Sequence, residues 1–239
     1  MLHIESSSAA NGLLAALPRK DRQRFLANCE PVELLFAQIL AEPGELIRYV
    51  YFPVGGFISL VAPIDGRASL EVGLIGNEGM LGISLLLGID AAPLHAVVQG
   101  TGSALRMDAA PFYREIERST ALQSLLNRYL YVMMGQLAQT AACTRFHLLE
   151  ARLARWLLMT QDRARSDEFH VTQEFLAYML GVRRVGITKA ASSLQNKKLI
   201  SYSRGNITII DRSGLKIASC SCYEADKATY ATMMASDCR

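Results

Sequence analysis

Residues 171–210 read VTQEFLAYMLGVRRVGITKAASSLQNKKLISYSRGNITII, and this stretch decides the fold. Gln173 to Leu180 is a short helical run. Thr172 stands before it as an N-cap, since its hydroxyl can accept an orphan backbone N–H. Gly181 follows directly and suits the left-handed position that ends a helix. A second helix starts at Arg183 or Arg184 and runs to Gln195 or Asn196. Two short helices joined by a glycine-containing turn make a helix-turn-helix. In the second helix Ile187, Ala190, Ala191 and Leu194 recur at helical spacing and are expected to face inward. Arg184, Val185, Thr188, Lys189 and Ser192 are left outside. Two β-branched or aromatic runs, Leu199–Ser203 and Ile207–Ile210, then flank Arg204-Gly205-Asn206, a hairpin built about a Gly-Asn turn. A hairpin directly after the second helix is a wing.

Chemistry follows from that placement. A recognition helix touches base edges with its N-terminal residues, so Arg183, Arg184 and Val185 are candidate DNA contacts. Arg184 can bond bidentately to guanine O6/N7, Lys189 to guanine or phosphate, and Thr188 can meet a thymine methyl or a phosphate. Thr172, Gln173 and Ser192 complete the helix-turn-helix set. Arg204 at the wing tip, and Lys197 or Lys198 at its base, would reach phosphates, which fix position without reading sequence.

Charge is partitioned to match. Residues 1–142 carry net −3, residues 143–219 net +7 and residues 220–239 net −1. The concentrated positive charge is the footprint expected for a polyanion partner. The chain as a whole has 239 residues, 51% of them hydrophobic, and a net charge of +3. Disorder throughout is excluded by that composition. The longest uncharged runs are 16 residues, Tyr49–Ile64 and Tyr129–Thr144, shorter than the ~20 a spanning helix needs. The start, MLHIESSSAANGLL, lacks a basic region and an apolar core of signal-peptide length. A cytoplasmic protein without membrane contact is expected.

Upstream the character differs. All seven prolines lie at or before Pro111, and 11 of the 17 glycines fall between Gly44 and Gly102. Short apolar runs (Leu46–Phe52, Gly56–Ala62, Ser69–Ile75, Ala96–Val98, Ser103–Met107) alternate with the turn-like clusters Pro53-Val54-Gly55-Gly56, Asp65-Gly66, Gly76-Asn77-Glu78-Gly79 and Gly100-Thr101-Gly102. That pattern predicts an all-β barrel or jelly roll. After Pro111 helix formers dominate. Leu122, Leu125, Leu126, Tyr129, Val132, Met133 and Leu137 form a stripe with steps of three and four. Such a stripe serves either a helix packed on its own domain or a two-stranded dimer seam, and the dimer seam is preferred here. Phe146 to Thr160 is a further amphipathic helix (Leu148, Leu149, Leu153, Trp156, Leu157).

Gln173–Leu180, Gly181, Arg184–Leu194 and NKKLISYSRGNITIID together resemble the winged helix-turn-helix of the CRP/FNR family of bacterial transcription regulators. YFPVGGFISLV, EVGLIGNEGMLG and the helix after Pro111 look like that family's cyclic-nucleotide-binding-type β-roll and dimerisation helix. About 200 of the 239 residues, roughly Leu17 to Leu215, are covered. The resemblance implies an α+β chain in three parts. These are an N-terminal jelly-roll-like sensory β-roll (1–118), a long dimerisation helix (119–143) and a C-terminal winged helix-turn-helix with its tail (144–239). It further implies a homodimer on double-stranded, pseudo-palindromic DNA and a surface that can meet RNA polymerase.

The departures from the family are informative. Cyclic-AMP-binding members hold the ribose hydroxyl with a Gly-Glu carboxylate and the cyclic phosphate with an arginine. Here Gly76, Asn77, Glu78 and Gly79 stand at the first element, and the second falls near Leu94 and His95 with no arginine. No Lys or Arg occurs between Arg67 and Arg106. A buried phosphate without a cation is costly, so tight cyclic AMP binding is not expected. These six residues remain the candidate effector pocket, for another small molecule or for none. Val185 replaces the acidic residue that many members place after the recognition arginine, and valine cannot accept from cytosine N4. Gly186 beside it is a candidate for close backbone approach to DNA.

Iron–sulfur members need an N-terminal cysteine cluster, usually four thiolates, and only Cys29 precedes Cys143. A haem-sensing member would draw its ligand from His95 or His147, and His147 reads as a surface or junction residue. Cys220-x-Cys222 is a short tail pair read as reduced thiols, so no cofactor and no metal ligand are assigned. No HExxH, Gly-x-Ser-x-Gly or Walker pattern occurs, and no catalytic residue is assigned. The alternative function is a small-molecule-binding module whose winged domain meets proteins, since fold alone does not fix function.

Overall fold

The structure is a computed structural model that describes residues 11–64 and 68–235. Asp65-Gly66, His3 and Cys238 lie outside the described residues, as does most of the N-terminal segment read for a signal sequence. The fold is α+β, with an antiparallel sheet in the N-terminal half, long helices, and a helix-turn-helix in the C-terminal third. None of the helices among the described residues is long and apolar enough to cross a membrane.

Two helices, α1 (Gly12–Ala15) and α2 (Arg19–Leu26), lead into the sheet strands β1 (Glu30–Leu34), β2 (Ile39–Ala41), β3 (Tyr49–Ile64), β4 (Ala68–Ile75) and β5 (His95–Asp108). The sheet order is β1-β5-β3-β4, with β2 also on β5. Strand β1 pairs antiparallel with β5 from Glu30↔Arg106 to Leu34↔Gly102. Then come α3 (Ala109–Arg118) and α4 (Thr120–Phe146), 27 residues long. The remaining elements are α5 (Leu149–Ala164), β6 (Glu168–His170), α6 (Gln173–Leu180), α7 (Arg184–Asn196), β7 (Ile200–Ser203), β8 (Asn206–Ile209), α8 (Arg212–Ala218) and α9 (Cys222–Met234).

Two expected turns are not turns. Pro53-Val54-Gly55-Gly56 lies inside β3, and Gly100-Thr101-Gly102 lies inside β5. At Gly56 and Gly102 the two strands approach too closely for a side chain. A Cβ on Gly56 would sit 2.2 Å from the Gly100 carbonyl oxygen, and one on Gly102 would sit 2.3 Å from the Gly55 carbonyl. Gly56 also holds a φ of +75°, a conformation that favours glycine. The expected strand Leu46–Phe52 therefore begins only at Tyr49 and runs on, and Ala96–Val98 and Ser103–Met107 merge into one strand. The helix predicted from Phe146 starts at Leu149 instead. Phe146 closes α4, and Leu148, expected in the core, is exposed.

The described residues form two compact units, one of residues 11–58 and 75–130, the other of 59–64, 68–74 and 131–235. The first is centred on Phe25, Phe52 and Phe112, all buried, with ring centroids 5.3 to 6.5 Å apart. Tilted and edge-to-face contacts of this kind add to the burial of each ring.

The second unit is built around α5, whose residues Arg152 to Gln161 are all buried. Apolar positions Leu153, Trp156, Leu157 and Leu158 fill the core. Polar ones need partners. Arg152 donates to the Leu180 carbonyl (2.5 Å) and Arg155 to Asp226 (2.6 Å). The Trp156 indole N–H donates to Glu71 Oε1 (2.8 Å), and Ser59 Oγ donates to Glu71 Oε2 (2.5 Å).

Glu71 is buried, and burial pushes its carboxyl from 4.5 up to about 7, against the two hydrogen bonds and the charges of Arg163 and Arg155, which lower it. Between those values the folded state binds more protons than the unfolded one. This contribution to stability is complete below the unfolded value and is lost as pH rises through about 7. The difference is on the order of 3 kcal/mol. Urea unfolding of the wild type is expected to weaken from about pH 5 to about pH 8 relative to Glu71→Gln, which lacks the titration. Parallel pH profiles of the two proteins would contradict the assignment.

Candidate nucleic-acid interface

Helix α6 is capped as its sequence requires. Thr172 Oγ1 accepts from the Phe175 N–H (3.2 Å), and Gly181 closes the helix at φ +62°. The Val182 N–H then reaches the Ala177 carbonyl (3.0 Å), so the turn satisfies the end of the helix. Helix α7 starts at Arg184 with Arg183 as its cap residue.

The faces of α7 separate cleanly. Ile187, Ala190, Ala191 and Leu194 are buried. Arg183, Arg184, Val185, Thr188, Lys189 and Ser192 are exposed, Val185 at 62%. Thr188 Oγ1 donates to Gln173 Oε1 (2.7 Å), which ties the exposed faces of the two helices together and orients both polar groups. Gly186 is turned the other way. A Cβ there would lie 2.9 Å from Leu149 Cδ2, so this glycine lets α7 approach α5. The expected role for Gly186 in backbone approach to DNA is corrected by that contact.

The wing is larger than its hairpin. Strands β7 and β8 pair from Ile200↔Ile209 to Ser203↔Asn206, and β6 adds a third strand along β8. The two-residue turn is Arg204-Gly205 rather than Gly-Asn, with φ of +50° and +84°. Positive φ at both central residues gives the twist that suits a hairpin. His170 covers the tip, since a Cβ on Gly205 would sit 2.8 Å from its Cε1. The Tyr202 hydroxyl donates to the Val171 carbonyl (2.8 Å), which fixes the wing to the start of the helix-turn-helix. Strand β6 carries no alternating run long enough to be read from sequence.

Arg204 and Lys198 are both exposed, at the tip and at the base of the wing. Not every cation of the basic segment serves this surface. Arg152 and Arg155 are buried and internally bonded. Lys197 pairs with Glu150 (2.5 Å) and Arg212 with Asp162 (2.6 Å). Lys197, one of two alternatives for the wing base, is thereby engaged beside α5.

Several candidate effector residues have internal partners. In the Gly76–Gly79 turn the Gly76 N–H donates to Glu78 Oε1 (3.2 Å) and the Gly79 N–H to the Gly76 carbonyl (3.1 Å). Asn11, fully buried, donates through Nδ2 to the Gly79 and Pro53 carbonyls (2.8 and 2.9 Å). A Cβ on Gly79 would lie 2.2 Å from the Tyr129 hydroxyl. Leu94 is half-buried beside His95, whose Nδ1 lies 2.7 Å from Glu42 Oε2.

The dimer stripe is corrected. Leu122, Leu125, Leu126, Tyr129, Val132 and Met133 are buried within the single chain, and Leu137 is half-buried. Apolar residues that α4 leaves on the surface include Tyr131 (58% exposed), Met134 (61%), Ala138 and Ala141, and nearer its end Ala142 and Phe146 (77%).

Residues 151–217 match the model of the Crp-like helix-turn-helix domain. Among solved structures, the chain is similar to a putative transcriptional regulator of the crp/fnr family from Eubacterium rectale. That match has 17% identity and a TM-score of 0.67, covering 86% of this chain and 96% of that one. FixK2 from Bradyrhizobium japonicum is similar at 14% identity and a TM-score of 0.68, covering 81% and 98%. The c-di-GMP-responsive global regulator CLP of Xanthomonas campestris is similar at 16% and 0.66, covering 80% and 99%. No curated protein sequence matches the chain.

The capping geometry makes a local prediction. Thr172→Ala removes the acceptor for the Phe175 N–H and is expected to lower stability by about 1 kcal/mol, while Thr172→Ser retains it. Equal denaturation midpoints for the two variants would count against the cap.

Proposed function

We infer that this chain, which carries a Crp-like helix-turn-helix domain and has the fold of the CRP/FNR regulators, is a DNA-binding regulator of transcription. The observation that carries this reading is the split of α7. Its apolar face is buried, while Arg183, Arg184, Val185, Thr188, Lys189 and Ser192 are exposed beside a wing that presents Arg204. On this reading α7 enters the major groove, Arg184 reads a guanine, and Lys189, Lys198 and Arg204 meet phosphates. Val185 leaves one base position in each half-site without a carboxylate acceptor. The reading is of a cytoplasmic regulator with no catalytic step, divided functionally at residues 118 and 143.

The working form is a homodimer on a pseudo-palindromic site, with recognition helices about one DNA turn, ~34 Å, apart. Tyr131, Met134, Ala138 and Ala141 supply the seam. Their steps of three, four and three are those of a coiled coil, and they are among the apolar residues of α4 left open to a second copy. The effector region is degenerate toward cyclic AMP. No Lys or Arg lies between Arg67 and Arg106, and His95 is already engaged with Glu42. Control falls either to a different small molecule, acting through its differential affinity for two states, or to the abundance of the protein itself. An RNA polymerase contact belongs to the same proposal.

The test is fluorescence anisotropy of the full-length protein on the DNA upstream of its own gene, at two salt concentrations, with random duplex as competitor. Specific binding that weakens steeply with salt is expected, because each neutralised phosphate releases counterions. Arg184→Ala is expected to lose roughly tenfold or more and to relax one base position, and Lys189→Ala to lower the salt slope. Binding indifferent to salt and to both substitutions would favour a protein-contact role for the wing. Separately, Met134→Glu is expected to shift the protein from dimer to monomer in analytical ultracentrifugation with its helical content retained. A persistent dimer would place the seam elsewhere.

A further inference from the structure

Four residues that sequence separation keeps apart are brought together in the second unit. Cys143 and His147 are one turn apart at the end of α4, where positions i and i+4 share a face. The His147 N–H still donates to the Cys143 carbonyl (3.1 Å), so the turn is continued to the histidine. Cys220 lies in the junction between α8 and α9, and Cys222 opens α9. Cys143 Sγ stands 3.5 Å from Cys220 Sγ, and Cys222 Sγ stands 3.4 Å from His147 Nδ1. All four ligand atoms lie within 4.8 Å of one another. The three thiols are buried and the imidazole is half-buried.

These spacings can be compared with the edges of a tetrahedron. With metal–sulfur bonds of ~2.3 Å and metal–nitrogen bonds of ~2.05 Å, a tetrahedral zinc site has S···S edges of about 3.8 Å and S···N edges of about 3.6 Å. The two closest contacts fall just inside those values. A disulfide would require about 2.05 Å between sulfurs. Apolar packing accounts for buried thiols but not for an imidazole nitrogen turned onto them.

We propose that Cys143, His147, Cys220 and Cys222 form a structural zinc site. Three thiolates and one imidazole are the ligands of a closed Cys3His site, with no open position for substrate. The soft donor set excludes magnesium and calcium, which take oxygen ligands. The surroundings supply the outer shell such a site needs. Gln139 Nε2 donates to Cys222 Sγ (2.9 Å). The Arg155 guanidinium lies beside Cys143 and offsets the single negative charge left by three thiolates on a divalent ion. The ion would tie the end of α4 to the α8–α9 junction. On this proposal Cys220 and Cys222 are ligands rather than simple thiols, and His147, half-buried where α4 ends, is a ligand at a junction.

The experiment is metal analysis of full-length protein purified without chelator from zinc-supplemented cells. About one zinc per chain is expected, with loss from Cys222→Ser and from His147→Ala. Metal-free wild type titrated with Co2+ is expected to develop the visible ligand-field bands of a tetrahedral, thiolate-rich ion, which added Zn2+ bleaches. This second measurement needs no variant and stands if a substituted chain fails to fold. Wild type that is free of zinc and stays colourless with cobalt overturns the proposal. So does a Cys143–Cys220 disulfide found in the purified protein without metal.

Discussion

Burial of the middle of α5, Arg152 to Gln161, on every side is the constraint on which the second unit depends. A helix that meets water on no face is ordinarily apolar all round. This one is not, since Arg152, Arg155, Thr160 and Gln161 are buried together with Leu153, Trp156 and Leu157. The unit answers most of these polar groups in turn, although Thr160 Oγ1 is buried without a hydrogen-bond partner among the described residues. The Leu180 carbonyl takes Arg152, Asp226 takes Arg155, and Asp167 and Arg212 meet Gln161. Trp156 is answered by Glu71 from the β3–β4 hairpin. Each such bond fixes a different element against the same helix. The exposed face of α7 is thereby positioned indirectly. Gly186 brings α7 down on Leu149, and the residues on the opposite side of α7 are held outward.

Local signals were the legible ones. Thr172, Gly181 and the spacing of Ile187, Ala190, Ala191 and Leu194 act within a few residues of one another, so α6, the turn and α7 follow from sequence with their faces assigned. The same is true of the hairpin, apart from the identity of its turn. What failed were signals with two physical causes. Glycine marks a tight turn, but it also marks close approach within a sheet: Gly56 and Gly102 face the neighbouring strand's backbone, and Gly100 faces the Phe57 ring. A stripe with three-four spacing shows that one helix face is buried without showing what buries it. Leu122 to Met133 are covered by their own chain. The gathering of Cys143 and His147 with Cys220 and Cys222 spans too much sequence for any spacing rule to detect.

The basic character of residues 143–219 also looks different once the side chains are placed. Net charge counts every cation equally. The structure divides them into those that hold the unit together, such as Arg152, Arg155 and Arg212, and those presented outward, such as Arg184, Lys189 and Arg204. Only the second group can release counterions from a polyanion. Arg152 and Arg155 instead set the cost of disturbing the fold, because a buried charge stripped of its partner is strongly destabilising.

The hairpin contributed to the second unit by residues 59–64 and 68–74 has a consequence for biosynthesis. The chain leaves the ribosome from its N-terminus, so Ser59 and Glu71 emerge long before Trp156 exists to meet them. Until then the Glu71 carboxyl must remain hydrated, and this edge of the sheet waits without its cover. The wing and helix-turn-helix, made from neighbouring residues, carry no such delay. An excised C-terminal fragment would inherit the converse defect, an indole N–H at the heart of α5 with its acceptor left behind on the discarded piece. The unit that would handle DNA is in this sense not a detachable module, because part of its interior is encoded near the beginning of the chain.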